Sequence, residues 1–220
     1  MCCNKGVFIV KELSMKERPV IRKCFSEWDN LFYNPAGGEN LDEIMLYGQV
    51  WGIFRNENIV ACSWLIPADS AFFRKTNACW EISDLMNDDL KDCMIAGYVW
   101  QDKDMTVPAV YSAFIRLWIV QSAKMKKNKV VHYSPLHIYT GIKQLFESGW
   151  KLKGLRGLDN LVPHYIFERD TELYNTEMEI PRNPKICHRT DTKQLSYLCE
   201  QNWQGVAVDR RQNIYFQKGG

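Results

Sequence analysis

Two stretches of this 220-residue chain hold side chains that could move protons. In Trp80-Glu81-Ile82-Ser83-Asp84, strand alternation would put Glu81 and Ser83 on the face opposite Trp80 and Ile82, leaving Glu81 as a carboxylate able to act as a general base. An exposed strand carboxylate with no task fits the same pattern, and Asp84 is either a second base or the start of a turn at Asn87-Asp88-Asp89. Tyr139 falls on one helical stripe with Ile142, Lys143 and Phe146, where its hydroxyl could protonate a leaving group or its ring could fill the core boundary. His132 and His137 flank Tyr133-Ser134-Pro135 at a strand end, a place where α/β ligand sites open. Other chemistries lack their motifs: no G-x-S-x-G elbow, no G-x-G-x-x-G turn and no Walker loop occurs. The eight cysteines form no CxxC pair, and Cys187-His188 with Cys199 lacks a fourth ligand at zinc spacing, so no metal is expected and the thiols read as small apolar residues.

The elements that must position these residues follow from periodicity. Gly6 to Leu13 reads as a strand, Met15 to Phe32 as an amphipathic helix, and Asn40 as the cap of a short helix through Leu46. Val50–Arg55 and Ile59–Ile66, separated by Asn56-Glu57-Asn58, predict a hairpin. Cys79–Leu85 alternates as a strand, and Cys93–Trp100 is apolar enough to be a central one. A long helix follows from near Pro108 to the cationic run Lys124–Lys129. Then come a strand Val130–Ser134, a helix Pro135–Ser148 ended by Gly149, and strands Trp150–Leu155 and Tyr165–Arg169. The remainder, after a linker Ile180–Pro184, holds a helix from Asp191 to Asn202 and short strand-like runs from Gly205 to Phe216. It reads as a C-terminal extension (171–220) packed on a first domain of residues 1–170.

Composition agrees with a globular protein: 46% apolar, 25% charged, net charge +2. That balance gives no general reason to expect nucleic acid as a partner. The uncharged stretches Met105–Ile115 and Leu117–Ala123 are interrupted by Arg116 and fall short of the roughly 20 residues of a membrane span. Met1-Cys2-Cys3-Asn4-Lys5-Gly6 has no signal-peptide core, so a cytoplasmic protein with reduced thiols is expected.

The hairpin Val50–Ile66, Ala96-Gly97-Tyr98-Val99-Trp100 before the helix from Ala109, and Gln144-Leu145-Phe146-Glu147-Ser148-Gly149-Trp150 together resemble the GNAT acyltransferase superfamily over roughly residues 6–170. The resemblance implies an α/β (α+β) fold with a central mixed sheet flanked by helices. It further implies an acyl-CoA, such as acetyl-CoA, as donor and a small-molecule amine as acceptor. In that family the central strand splays from its neighbour and pairs with the pantetheine arm, and the next loop and helix start hold the pyrophosphate. Carried over by position, the donor contacts are Tyr98, Val99, Trp100, Thr106, Val107, Ala109 and Val110, and the base that acyl transfer to an amine needs is the strand carboxylate Glu81 singled out above. The family's acid, a Tyr, falls on Phe146, so Tyr139 is its substitute here.

Two departures keep alternatives open. Gln101 to Val110 contains no glycine and carries Asp102 and Asp104, which would repel a pyrophosphate. A non-catalytic binding module of the same fold is therefore the rival reading. Trp80-Glu81-Ile82-Ser83 also resembles acyl-homoserine-lactone and N-acyl amino acid synthases, which would make acyl carrier protein the donor's bearer, although Asp84 and Leu85 stand where those enzymes have Arg and Phe. A homodimer is compatible with either. Charge is segregated: residues 116–156 sum to +8 and residues 39–104 to −7. Such an asymmetry could steer an anionic donor and a cationic acceptor, or the lysines could simply complement a helix C-terminus and keep the surface wet.

Overall fold

The structure, a computed structural model, describes residues 8–29, 41–75, 82, 83, 85, 90–103, 109–136, 139–157, 163–172 and 179–219, with the side chains of 25–29, 135 and 139 outside that description. A single mixed sheet runs through it. In chain order the elements are β1 (Phe8–Glu12), α1 (Arg18–Asp29), α2 (Leu41–Tyr47), β2 (Gln49–Arg55), β3 (Asn58–Pro67), β4 (Cys93–Ala96), β5 (Trp100–Gln101) and α3 (Val110–Lys124). Then follow β6 (Lys129–Pro135), α4 (Tyr139–Glu147), β7 (Lys151–Gly157), β8 (Pro163–Asp170), β9 (Lys185–His188), α5 (Thr192–Glu200), β10 (Trp203–Val208) and β11 (Asn213–Lys218). The strand order is β1-β2-β3-β4-β6-β8-β7-β10-β11-β9, with β5 pairing β3. The ladder between β4 and β6 is parallel, and the other ladders are antiparallel.

Local chemistry sets these elements. Asn56 (φ 48°) and Glu57 (φ 69°) both take positive φ, the primed turn whose twist matches a two-residue hairpin. At the end of α4, Gly149 (φ 75°) lets its own amide donate to the Phe146 carbonyl at 2.9 Å and that of Trp150 to the Leu145 carbonyl at 3.1 Å, satisfying two otherwise orphaned acceptors. Asp191 caps α5 by accepting from the Gln194 amide at 3.0 Å.

Each face of the sheet has its own core. Ile21, Cys24, Leu41 and Ile44 of α1 and α2 pack on one face with Trp64, Tyr98, Tyr133 and Ile166. Phe114, Ile115 and Trp118 of α3, Ile142, Leu145 and Phe146 of α4, and Leu195 and Leu198 of α5 cover the other. The segment from residue 179 adds its strands to the same sheet, because Gly205 of β10 pairs with Leu152 of β7. Cys24, Cys62, Cys93 and Cys187 are buried and in no disulfide. Among the described residues no helix is long and apolar enough to cross a membrane.

Two expectations need correction. The central strand predicted over Cys93–Trp100 is broken: β4 ends at Ala96, and β5 resumes at Trp100 paired to β3 alone. Its cause is a tight fit at Gly97, where an added Cβ would lie 1.9 Å from the Trp64 indole, so the chain bulges around the ring. The strand expected at Cys79–Leu85 is helical at Ile82 and Ser83, and Leu85 closes the turn with its amide on the Ile82 carbonyl at 3.1 Å. Strand β9 lies between the linker Ile180–Pro184 and the helix from Asp191, where the sequence reading assigned no element; Cys187 alone of its four residues is buried, so no alternation marks it.

Candidate functional site

The bulge opens a seam in the sheet. Ala96 pairs with Leu65 on β3, but Trp100 pairs with Cys62, so three residues (Gly97, Tyr98, Val99) oppose two. The Gly97 amide still donates to the Trp64 carbonyl at 2.9 Å, and Ser63 Oγ donates to the Gly97 carbonyl at 3.4 Å, which holds this peptide toward β3. On the other edge, the β4–β6 ladder runs from Cys93–Lys129 to Ala96–His132 and stops. Strand β6 nevertheless continues through Tyr133, Ser134 and Pro135, paired only to β8. From Ala96 onward the two central strands therefore diverge.

Aromatic and imidazole rings line both faces of this divergence. On the α1/α2 face Tyr98 stands edge-on to Tyr133, 5.3 Å between centroids, and its hydroxyl hydrogen-bonds His164 Nε2 at 2.5 Å. On the α3 face His132 stacks on Trp118 at 4.8 Å. Its Nδ1 lies 3.0 Å from the Ala96 carbonyl, which can only accept, so Nδ1 carries the proton. The neutral ring then has Nε2 as an acceptor, filled by the Tyr111 hydroxyl at 2.9 Å. Burial favours that neutral form and pulls the imidazole down to about 4, while it pushes the Tyr111 phenol well up. Because Tyr111 sits in the first turn of α3, this pair of bonds ties the helix start to the last paired residue of β4.

The N-cap of that helix is Ala109, which makes no side-chain capping bond, and backbone amides at a helix start suit an anionic partner. Ser112 Oγ in the same turn donates to Gln144 Oε1 at 3.1 Å, joining α3 to α4.

The residues singled out from sequence distribute as follows. Tyr98 and Val99 lie in the bulge and Trp100 in β5, while Ala109 and Val110 begin α3; the side chain of Val110 is buried, so only its backbone can face a ligand. Glu81, Asp84, Thr106, Val107 and His137 lie outside the described residues, and Tyr139 is placed by its backbone at the start of α4. Phe146 is fully buried, edge-on to Phe167 at 5.2 Å. His132 does not line an open pocket, since both its nitrogens are bonded inside the protein. In the Cys187 region, the Sγ of that residue donates to the His188 and Asp191 carbonyls at 3.4 and 3.8 Å, and no three His, Cys, Asp or Glu side chains among the described residues form a metal cage. Part of the basic region is spent on internal carboxylates: Lys129 and Lys153 approach the buried Glu168 at 3.7 and 3.8 Å. His164 was missed, because its role arises only from the register that puts it opposite Pro135. Tyr111 falls on the apolar stripe of its helix, and no local signal marks its hydroxyl.

No family model and no curated protein matches the sequence. Solved structures do match by fold. The ribosomal-protein-S18-alanine N-acetyltransferase of Escherichia coli superposes with a TM-score of 0.56 at 8% identity, covering 79% of this chain and 100% of that one. An N-acetyltransferase of Staphylococcus aureus gives 0.55 at 10%, covering 76% and 99%. Arabidopsis thaliana NAA60, solved in complex with acetyl-CoA, gives 0.55 at 12%, covering 74% and 98%. At such identities the likeness concerns the fold, and the fold of this chain is that of the GNAT-type acetyltransferases.

Proposed function

We propose that this chain is an acyltransferase that moves an acyl group, acetyl in the simplest case, from an acyl-CoA thioester to the amine of a small molecule. The observation that supports it most is the end of the β4–β6 ladder at Ala96, after which the chain passes through the bulge to β5 on β3, beside the start of α3, whose N-cap Ala109 makes no side-chain bond. In the like-folded Arabidopsis protein acetyl-CoA is present. The thioester supplies an electrophilic carbonyl: a C–N bond forms to the amine, the C–S bond breaks, and the thiol departs with a proton.

The rest is work for the chain's own residues. Backbone groups of Tyr98, Val99 and Trp100 lie along the diverging edge, where the amides of a pantetheine arm would pair. Backbone amides at Thr106, Val107, Ala109 and Val110 would hold the pyrophosphate without glycine. Glu81 would take the ammonium proton, and Tyr139 would return one to the thiolate. A second reading, a module that binds a thioester without turnover, is favoured by one specific observation: Phe146, at the position the resemblance gives to the acid, is a buried phenyl packed on Phe167.

Calorimetry with acetyl-CoA, longer acyl-CoAs and acyl carrier protein comes first, followed by thiol release across a panel of small amines. Ala109→Glu should weaken acetyl-CoA binding tenfold or more while leaving the melting temperature unchanged or raised, since a carboxylate repels phosphate but suits a helix start. Equal affinity in that variant would place the donor elsewhere. Glu81→Gln should slow turnover by roughly 10²- to 10⁴-fold with donor affinity retained. Binding with no thiol release for any amine would decide for the binding module.

A further inference from the structure

The segment from residue 179 reaches back to the diverging seam through one side chain. Arg189, just past β9, is held by its own neighbours: its amide donates to the Gln212 carbonyl at 3.0 Å, its Nε donates to Gln212 Oε1, and its carbonyl accepts from the Tyr165 hydroxyl at 2.6 Å. With the backbone so fixed, the guanidinium donates from Nη1 to the carbonyl of Leu136 at 2.6 Å, a contact spanning 53 positions in sequence. Leu136 is the first residue after β6 and opens the connection to α4.

The place of that contact gives it a consequence. Beyond His132, β6 has a ladder on one side only, to β8. Its last three residues form the far wall of the divergence and have lost the backbone bonds that hold the rest of the strand from both sides. A charged, planar donor on the carbonyl at the strand's end is a strong, directional tether where the sheet supplies least. We infer that the C-terminal segment is a working part of the candidate site: through Arg189 it fixes the end of β6, and with it the width of the divergence and the entry to α4. Arg189 is a positioning residue that touches no ligand. The binding consequence rests on the acyl-CoA reading above; the mechanical one does not.

The test uses the full chain with Arg189→Ala and Arg189→Lys, and reads amide hydrogen exchange by peptide, acetyl-CoA affinity and melting temperature. Arg189→Ala should speed exchange over residues 133–147 at least tenfold while exchange in β10 and β11 stays within about twofold, and acetyl-CoA should bind about tenfold more weakly. Arg189→Lys keeps a cation but not the fork, so it should fall between wild type and Arg189→Ala in both readouts. Unchanged exchange over 133–147 overturns the inference. So does an acceleration spread equally over β10 and β11, which would make Arg189 merely structural. If exchange over 133–147 is selectively raised but affinity is unchanged, the seam's width does not govern binding and the inference fails in its functional half. Should wild type itself not bind acetyl-CoA, the acyl-CoA reading fails, while the exchange arm still decides whether Arg189 holds the strand.

Discussion

Strand β6 has two edges with opposite fates. Toward β8 it forms seven antiparallel pairs without interruption, from Lys129–Asp170 to Pro135–His164. Toward β4 it forms four parallel pairs and then none. Both edges belong to the same run Lys129–Pro135, so β-propensity within the strand cannot account for the difference. What differs is the neighbour: Trp64 on β3 presses a ring onto Gly97, and the chain bulges toward β3 rather than staying alongside β6. The closed edge is built from backbone bonds. At the open edge, side chains do part of that work, with His132 donating to the Ala96 carbonyl and Tyr98 reaching across to His164. A gap in a sheet is thus tolerated where buried polar groups find side-chain partners in place of the ladder.

Glycine substitutions should separate the two regions most sharply. At the open seam, Gly97→Ala drives a methyl into a rigid, fully buried indole, with 1.9 Å to the nearest ring atom. Loss of more than about 3 kcal/mol in urea unfolding is expected, the upper range of overpacking, because neither the ring nor the bulged backbone can yield cheaply. In β7, beyond the closed seam, Gly154→Ala meets the Leu85 methyls at 2.8 Å, and those are the mobile end of a leucine. Its cost should stay under about 1 kcal/mol. Equal costs at the two positions would mean that the bulge does not depend on Trp64.

Acid should act on the open seam next. His132 is held neutral in the folded protein at about 4, mainly by burial, with His164 lowering it further and the bond to the Ala96 carbonyl working the other way. An unfolded chain would titrate near the ordinary value of about 6.5 and so binds the proton more tightly than the folded one between these values. Stability is therefore complete above about pH 6.5 and falls as pH drops from 6.5 toward 4, by about 3 kcal/mol over the whole window. Unfolding curves at pH 7, 6, 5 and 4.5 for wild type and His132→Gln isolate this contribution, since other groups titrate in both proteins. Parallel curves would remove His132 from the seam's electrostatics.

How far the sequence discloses this contrast depends on where the causes lie. Alternation and turn chemistry suffice for β2, β3, β6, β7 and β8 and for α3 and α4, because each is decided by its own apolar period and its own punctuation, such as Asn56-Glu57 and Gly149. The fold follows from that order, and the structural neighbours agree with it. The seam is only half legible. Gly97 within an apolar strand is a known sign of a bulge or a close approach, but which ring would press on it depends on the register of β3. His132 is visible as a histidine at a strand end, whereas its partners Ala96 and Tyr111 come from a different strand and a helix. His164 and Arg189 carry no local signal at all: one acquires meaning from the β6–β8 register and the other from a contact 53 residues away.

The smallest effect expected is also the most specific to the open seam. Tyr111→Phe removes one oxygen and preserves the ring that stands edge-on to Trp118 at 6.1 Å, so packing should survive. What is lost is the donor on His132 Nε2, and a buried acceptor left without a partner costs about 1 kcal/mol at pH 7. The same change has a second, opposite consequence at low pH. An O–H directed at Nε2 stabilises the neutral imidazole, so its removal lets the ring accept a proton more readily and raises its titration in the folded protein toward 6.5. The window between folded and unfolded values narrows, and the acid-induced loss of stability becomes smaller than in wild type. The variant should thus be less stable than wild type at pH 7 and converge on it as pH falls toward 4.5. Two wild-type-like readouts would show that Tyr111 does not bond His132. A uniform loss at every pH would leave Tyr111 as packing alone, and the start of α3 would then be tied to the seam by something other than this hydrogen bond.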